Sequence, residues 1–280
     1  MKTRRAFIKL SGAGLISTAA LKLHPSAPFV RPGLKETKIP FELGIASYTF
    51  RKFSLEDTLA MTSRLAIRNI AFKSFHLPLE ATKGEIAGTV AKVKDAGLNL
   101  YGGGVIYMKD ETAVNQAFEY AKMAGMKVII GVPDHELLPL VEKKVQEYNI
   151  VVAIHNHGPG DKVYPTLESI YSRIKNLDRR IGICHDIGHT RRAGEDPVQD
   201  TQRYFDRILD VHLKDVTEAS PEGNTNEMGR GVIDIPGVLS VLVQKRFTGI
   251  ASFEYEKDEE DPLPGLAESD GYVRGILKML

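Results

Sequence analysis

The chain has 280 residues, of which 42% are hydrophobic, and its 37 basic and 36 acidic side chains nearly balance. A chain of this length and composition can bury one large core or two small ones, and it contains no apolar run long enough to predict a membrane-spanning helix. Its single cysteine, Cys184, excludes an intrachain disulfide, and its position far from the N-terminus excludes a lipid anchor on an N-terminal cysteine. We therefore expect a globular protein without a stable membrane anchor.

The first 35 residues carry seven basic side chains and no acidic one. Residues 3–9 (TRRAFIK) form a basic segment, and residues 10–16 (LSGAGLI) form a mildly apolar one. This order predicts a bacterial export signal, and Arg4-Arg5 followed by Phe and Lys is typical of the twin-arginine class; a basic N-terminal helix is the alternative. We expect residues 1–35 to be an export signal and linker, residues 36–280 to be the functional domain, and the protein to act in the periplasm.

The charge balance changes when residues 1–35 are left out. The remaining chain has 30 basic and 36 acidic side chains, and it therefore carries a net charge of −6. Nucleic-acid binding depends on clustered lysine and arginine. The excess of negative charge therefore argues against a nucleic-acid partner.

From residue 40 onwards, short apolar runs alternate with longer segments whose apolar residues recur at helical spacing. Short runs of this kind are typical of buried parallel strands, and the longer segments are typical of amphipathic helices. The predicted strands are residues 43–49, 69–72, 98–102, 127–131, 150–154, 181–184, 208–213 and 249–253. The predicted helices begin with a Ser54 N-cap over residues 55–65 and continue at residues 83–96, 111–124, 137–148, 167–175, 197–204, 235–244 and 272–280.

Eight strand–helix units over about 240 residues predict an α/β fold, the (β/α)8 TIM barrel, as a single domain after the N-terminal segment. A doubly wound open sheet is the alternative, but no glycine-rich dinucleotide fingerprint follows the first strand. Gly102-Gly103-Gly104 is expected to form a loop after the third strand that is either flexible or a place of close backbone approach.

Seven of the eight histidines lie at the C-terminal end of a predicted strand or just after it. In a TIM barrel these strand ends form one rim, where the active site lies. The exception is His24, which lies in the N-terminal segment. The rim histidines are His76, His135, His155, His157, His185, His189 and His212.

Two carboxylates are predicted at the same rim. Asp186 ends the sixth strand, and Glu254 follows the apolar eighth strand, where alternation places it on one face with Glu256. On the seventh strand, the same alternation places His212 with Lys214. A buried carboxylate needs a cation, and carboxylate and neutral imidazole are both ligands for divalent ions. We therefore expect a metal ion bound by Asp186, His212 and Glu254.

Four segments in this order resemble the xylose isomerase-like barrels, known as sugar phosphate isomerases/epimerases. They are residues 185–189 (HDIGH), 211–215 (VHLKD), 229–234 (GRGVID) and 253–254 (FE). The resemblance extends over the whole predicted domain, and it implies Asp186, His212 and Glu254 as ligands of one divalent ion. Manganese is the first expectation for this ion, with zinc, cobalt, iron or magnesium as alternatives. The resemblance also implies a small carbohydrate substrate, and members of the family are often homo-oligomers.

The fifth strand departs from the family pattern. His155 stands where the family has its first metal-binding glutamate, and His157 follows two residues later. Because neutral imidazole can bind the ion, we predict four ligands: His155, Asp186, His212 and Glu254. The family's epimerases use two opposed glutamates to remove and return a proton. The loss of one glutamate favours a reaction with a single carboxylate base, Glu254, and a histidine as the acid.

The resemblance implies that a proton is removed next to the carbonyl of a sugar or keto-sugar, through a metal-stabilised enediolate. We expect Glu254, His155 and His157 to handle the proton. Isomerisation or epimerisation is the first interpretation. Elimination from a 3-keto-glycoside or keto-sugar by a lyase or dehydratase, through the same enolate, is the close alternative. The residues expected to contact the substrate are His185, His189, Lys214, Arg230 and Glu256.

Two further interpretations belong to other functional classes. The departure at His155 is compatible with a non-catalytic sugar-binding protein whose active site has decayed. A phosphodiesterase resembling endonuclease IV would use the same barrel with several metal ions and a basic DNA groove. The net charge of −6 over residues 36–280 argues against that second class.

Overall fold

Eight parallel strands close into a barrel in the computed structural model, which describes residues 39–280. The barrel strands are β1 Glu42–Ala46, β2 Asn69–Phe72, β3 Asn99–Met108, β4 Val128–Pro133, β5 Val151–His155, β6 Ile181–Asp186, β7 Ile208–Leu213 and β10 Ile250–Phe253. Around the barrel they follow the order β1-β10-β7-β6-β5-β4-β3-β2, so each strand pairs with the barrel strands before and after it in the sequence, and the last pairs with the first. Two short strands, β8 Asp215–Val216 and β9 Thr225–Asn226, pair antiparallel outside the barrel. The predicted (β/α)8 TIM barrel, a single domain, is confirmed; the predicted export signal lies outside the described residues.

The helices lie between the barrel strands and follow local capping signals. The Ser54 side chain accepts a hydrogen bond from the backbone N–H of Asp57 at the start of the first helix, as predicted. Within residues 39–280, none of the helices combines the length and the apolar character needed to cross a membrane. They are α1 Leu55–Arg64, α2 Lys83–Asp95, α3 Glu111–Ala124, α4 Leu138–Tyr148, α5 Leu167–Ile174, α6 Ile187–Arg192, α7 Pro197–Arg203, α8 Ile235–Gln244 and α9 Leu263–Leu277.

The structure differs from the sequence prediction at the glycines of β3, at the last helix and after β6. The glycines at 102–104 lie inside β3, not in a loop after it, and a Cβ atom at Gly102 would lie 2.9 Å from the carbonyl oxygen of Val128 on β4. Glycine therefore allows β3 and β4 to approach closely. The last helix begins at Leu263, because Pro264 is compatible with a first helical turn. The short helix α6 was not predicted, and Asp186 caps it by accepting a hydrogen bond from the N–H of His189.

Arg207 joins the loop before β6 to the start of β7 from a buried position, with 3% of its surface exposed. Its guanidinium donates hydrogen bonds of 2.8–3.1 Å to the backbone carbonyls of Lys175, Leu177, Asp178 and Ile181. Because Arg207→Leu would leave buried carbonyls without donors, we expect it to lower the free energy of unfolding by about 3 kcal/mol. Urea denaturation measures this, with the exposed Arg203→Leu as the control that changes stability by less than about 1 kcal/mol. Equal effects of the two substitutions would contradict the role given to Arg207.

Candidate metal centre

Four polar side chains meet at the C-terminal rim of the barrel, at the ends of four neighbouring strands. His155 ends β5, Asp186 ends β6, His212 lies on β7, and Glu254 directly follows β10. One nitrogen or oxygen atom from each lies within 4.8 Å of those of the other three, and all four residues are buried. The structure thus brings together the four residues that the sequence predicts as metal ligands.

The distances among these atoms fit a divalent ion. His155 Nε2 lies 3.2 Å from His212 Nδ1, which lies 3.3 Å from Glu254 Oε2, and His155 Nε2 lies 3.7 Å from Asp186 Oδ2. Donors that are each about 2.1 Å from one ion lie about 3.0–3.5 Å from one another. Asp186 Oδ2 is buried and faces nitrogen atoms, with Lys214 Nζ at 3.0 Å and His155 Nε2 at 3.7 Å, so its surroundings favour positive charge. Nitrogen and carboxylate oxygen donors suit manganese, iron, cobalt and zinc.

A second set of atoms, from His155, Cys184 and His212, is also close enough to bind an ion. A thiol binds metal as the thiolate. Burial, together with the nearby Asp210 carboxylate, raises the pKa of the Cys184 thiol well above its ordinary value. The set with Asp186 and Glu254 is therefore the better ligand set, and Cys184 is a small buried residue of the barrel interior.

Lys214 balances the charge of the two buried carboxylates. Its Nζ lies 2.8 Å from Glu254 Oε2 and 3.0 Å from Asp186 Oδ2, and it also donates a hydrogen bond to Glu256. Burial raises the pKa of Asp186 and of Glu254, but the Lys214 ammonium and the neighbouring histidines together outweigh burial and hold both pKa values well below the ordinary range. Both carboxylates are therefore anionic at neutral pH and can bind a cation or accept a proton.

The imidazoles of the centre differ in their charge state. Burial lowers the pKa of His155 to about 4 and that of His189 to about 3, so both rings are neutral at pH 7 and have a free electron pair. Burial also lowers the pKa of His212, but the Glu254 carboxylate, 3.3 Å away, together with Asp210 and Asp186 outweighs burial and raises the pKa above its ordinary value. His212 therefore binds a proton more tightly than a free histidine does.

Metal binding must displace this proton, which gives a pH dependence. Below the raised pKa of His212, each unit of pH decrease is expected to weaken Mn²⁺ binding about tenfold, and above that pKa the affinity should level off. Because the pKa is raised, the steep region should extend above about pH 6.5. Isothermal titration calorimetry over about pH 5.5–8.5, in two buffers of different ionisation enthalpy, measures both the affinity and the released proton. An affinity that is constant below about pH 7 would contradict the assignment of His212 as a ligand.

A buried polar layer lies beneath the cluster in the barrel. Asp210 Oδ1 lies 3.8 Å from His212 Nε2 and accepts a weak hydrogen bond from Cys184 Sγ at 3.5 Å, while Tyr101 and Ser252 share a hydrogen bond of 2.7 Å. Carboxylates behind metal-binding histidines orient the ring and fix which nitrogen carries the proton. The sequence analysis missed Asp210, although alternation from His212 along β7 places it on the same face.

Two residues on the β2–β3 side of the rim were also missed. Tyr107 stacks on His157, with ring centroids 5.7 Å apart, and its hydroxyl lies 3.2 Å from His157 Nε2. Lys73, directly after β2, donates a hydrogen bond of 2.9 Å to the Val105 carbonyl, and burial lowers its pKa. Both stand at strand ends, the signal that identified the histidines. His157 is linked to the cluster because its ring centroid lies 4.5 Å from that of His155.

Of the predicted substrate contacts, His189, Lys214 and Glu256 lie at the centre. His189 Nε2 is 3.9 Å from Asp186 Oδ2, and Glu256 is bonded to Lys214. His185 is not among them: its ring is fully buried on the outer face of β6, 3.0 Å from the hydroxyl of Thr190. It precedes the inward-facing Asp186 by one residue and therefore points to the opposite face. The hydrogen bonds of His76 and His135 are likewise structural.

Arg230 does not reach the cluster either. Its guanidinium forms two hydrogen bonds with the Glu268 carboxylate on α9, and its side chain is 60% exposed. The predicted substrate contact of Arg230 is therefore not part of the site as the structure places it. The segment around Arg230 has a structural role instead, because the buried Asp215 carboxylate accepts backbone hydrogen bonds from Gly229 and Gly231 and shapes this loop.

Comparisons with known proteins place this geometry in context. A family model described as xylose isomerase-like TIM barrel matches residues 135–276. The inosose dehydratase of Clostridium tetani (strain Massachusetts / E88) is 28% identical over 151 residues, which are 47% of this chain and 50% of that protein. The chain spans about half the length of the curated relatives it matches.

Two solved structures resemble the barrel over most of its length. An uncharacterised protein from Parabacteroides distasonis ATCC 8503 has a TM-score of 0.68 and 25% identity, covering 84% of this chain and 99% of the other. The apo form of 3-keto-D-glucoside 4-epimerase from E. coli has a TM-score of 0.67 and 15% identity, with the same coverage of 84% and 99%. At 15% identity, the second likeness concerns the fold alone.

Proposed function

The chain belongs to the xylose isomerase-like TIM barrel family, and on this premise we propose that it is a metal-dependent enzyme that removes a proton next to the carbonyl of a keto-sugar. The observation that carries the proposal is the buried cluster of His155, Asp186, His212 and Glu254 at the barrel rim, with Lys214 against its carboxylates. The relative named as an inosose dehydratase supports a keto-sugar as the substrate class. Manganese is the proposed ion.

Each residue of the centre has a distinct task in this reaction. A bound divalent ion would polarise the carbonyl and so acidify the neighbouring C–H bond. Glu254 is the proposed base, since its carboxylate is anionic and exposed by 7% at the rim. The Lys214 ammonium, 2.8 Å from Glu254, keeps this carboxylate ionised until it takes the proton. The neutral rings of His157 and His189, with centroids 5.8 Å apart, can bind hydroxyl groups.

The nature of the fifth-strand residue favours a one-base reaction. Two opposed bases would be needed to invert a carbon, but the described cluster contains His155 where the family has a glutamate. Its pKa of about 4 leaves His155 neutral, and its Nε2 lies among the ligand atoms. Glu254 can remove a proton and either return it to the neighbouring carbon, which is isomerisation, or leave the carbanion to expel a β-substituent, which is elimination.

Of these two outcomes, we favour elimination as the second step. The inosose dehydratase of C. tetani supports it, because dehydration is an elimination and 28% identity is shared over 151 residues. In this step the C–H electron pair forms a C=C bond while the C–O bond to the β-substituent breaks, and the departing oxygen takes up the proton that Glu254 removed or one from water. Isomerisation by the same base is the competing outcome.

The test is hydrogen exchange followed by proton NMR. The protein is loaded with Mn²⁺, the substrates are keto-hexoses and 3-keto-glucosides in D₂O, and metal-free protein is the control. We expect an unsaturated sugar and a free aglycone, with deuterium beside the carbonyl in the substrate that remains. A rearranged sugar in place of these products would assign isomerisation. The absence of both exchange and product with all substrates, with metal bound, would overturn the proposal in favour of a sugar-binding protein.

We also propose that the enzyme acts in the periplasm. The support is the sequence of residues 1–35, with its paired arginines and its lack of acidic residues. Cell fractionation of the full chain, compared with a variant carrying Arg4→Lys and Arg5→Lys, tests this location. We expect the variant to remain in the cytoplasm, and an equal distribution of both proteins would contradict export by this signal.

A further inference from the structure

A cavity of about 320 Å³ opens beside the candidate metal centre. A volume of this size is at the lower end of the range for small-molecule sites. Lys214 and Glu256 line it on one side, and the Lys214 Nζ also lies 2.8 Å from Glu254. The cavity and the metal centre therefore share a wall, so a molecule bound at the centre can extend into the cavity. Asn224 and Thr225, from the segment around β9, form part of the other side.

The charges around this cavity are uneven. Three cations line it, Arg192, Lys214 and Lys257, together with a single anion, Glu256. Two of the cations have acidic partners elsewhere. Lys257 forms an ion pair of 2.8 Å with Glu227, and Lys214 is bound by the carboxylates of the centre. The third cation, Arg192, differs from them in its partners.

The Arg192 guanidinium has no carboxylate within 4.0 Å among residues 39–280. One terminal nitrogen donates a hydrogen bond of 2.7 Å to the Pro221 carbonyl, and the other lies 3.4 Å from His189 Nδ1. Its Nε is buried without a hydrogen-bond partner. A cation that is held in place by neutral groups, and whose two terminal nitrogens each carry a second N–H bond, is suited to a planar oxyanion, which a guanidinium can bind through two parallel hydrogen bonds.

We infer that this cavity holds the leaving half of the substrate, and that Arg192 binds a carboxylate on it. The inference rests on the proposed function, because the cavity adjoins the centre at which the sugar would be enolised. His189 connects the two, since its Nδ1 lies 3.4 Å from Arg192 and its Nε2 lies 3.9 Å from Asp186. The preferred substrate is thus a keto-glycoside with a carboxylate-bearing aglycone.

Two matched substrates test this preference. They are the 3-keto-glucosides of 4-hydroxybenzoate and of 4-hydroxybenzamide, which are nearly equal in size and differ by one negative charge. With the Mn²⁺-loaded enzyme, we expect kcat/KM to be about 10- to 100-fold higher for the carboxylate. Arg192→Gln should bring this ratio close to one. Arg191→Gln removes the same charge from the same helix outside the cavity lining, and it should keep the preference.

A binding measurement separates this inference from the proposed function. Saturation-transfer NMR with the unoxidised glucosides of the same two aglycones reports binding to the metal-loaded protein even if no turnover occurs. We expect tighter binding of the carboxylate to the wild type and to Arg191→Gln, and loss of this difference in Arg192→Gln. Equal binding of acid and amide by the wild type, or a preference that survives in Arg192→Gln, would overturn the inference. Absence of turnover with this binding pattern intact would count against the proposed function only.

Discussion

We expect Glu254→Gln to lower the rate of deuterium incorporation beside the substrate carbonyl by about a thousandfold, because it removes the general base. The amide has the same shape as the carboxylate but cannot accept the proton. It retains a carbonyl oxygen that can face the ion, so metal binding should weaken much less than the rate does. NMR in D₂O measures the rate, and the metal content of the same sample shows how much ion the variant holds.

The matched control for this prediction is Glu259→Gln. Glu259 lies in the segment that follows Glu254, and its carboxylate pairs with Arg51 and Lys52 at the surface, not with the cluster. This variant should retain the wild-type rate within about twofold. If Glu254→Gln kept more than about a tenth of the exchange rate with its metal in place, another group would have to be the base.

Asp186→Asn should weaken Mn²⁺ binding by about a hundredfold or more, because it removes one of the two anionic ligands of the cluster. The fold should be unaffected. The oxygen of Asn can still accept the hydrogen bond of 2.7 Å from the His189 N–H that begins α6, and asparagine is as good an N-cap as aspartate. Calorimetric titration measures the affinity, and thermal unfolding of the metal-free protein checks that the barrel is intact.

Asp110→Asn is the control for Asp186→Asn. Asp110 is also a helix N-cap, accepting a hydrogen bond of 2.8 Å from the Ala113 N–H, but it is exposed and outside the cluster. Its substitution should leave the affinity for Mn²⁺ unchanged. An Asp186→Asn protein that bound the ion as tightly as the control would exclude Asp186 as a ligand.

Strand ends explain why much of the centre could be predicted from the sequence. His155, Asp186, His212 and Glu254 are far apart in the chain, but each follows an apolar run, and parallel strands in a barrel bring such positions to one rim. The inference needs only the strand positions, which buried parallel strands reveal by their apolar composition. The strand positions alone do not show which side chains at a strand end face the barrel interior. His185 and Asp186 are neighbours at the same strand end, and only the pleat decides which side chain faces inward.

The cavity beside the centre could not be predicted in this way. Arg192 lies on α6, a six-residue helix with too few positions for a periodic apolar pattern, and Asn224 belongs to a segment after β7 with no strand-like composition. Tyr107 was not identified because the third strand was predicted to end at Gly102, whereas β3 continues to Met108. Contacts of this kind depend on how loops fold over the barrel, and a single sequence does not specify them.

The position of Lys214 has a consequence for how the protein matures. Its ammonium already compensates the buried charges of Asp186 and Glu254, at 3.0 and 2.8 Å, so the polypeptide has no electrostatic need for an ion in order to reach its native state. Folding and metal acquisition are therefore separable events, and the ion can be taken up last, by a finished barrel, in whichever compartment supplies it. A divalent ion that enters the site would be repelled by the Lys214 ammonium beside the ligand carboxylates. This repulsion lowers the affinity of the site for the ion and makes exchange of one metal for another easier.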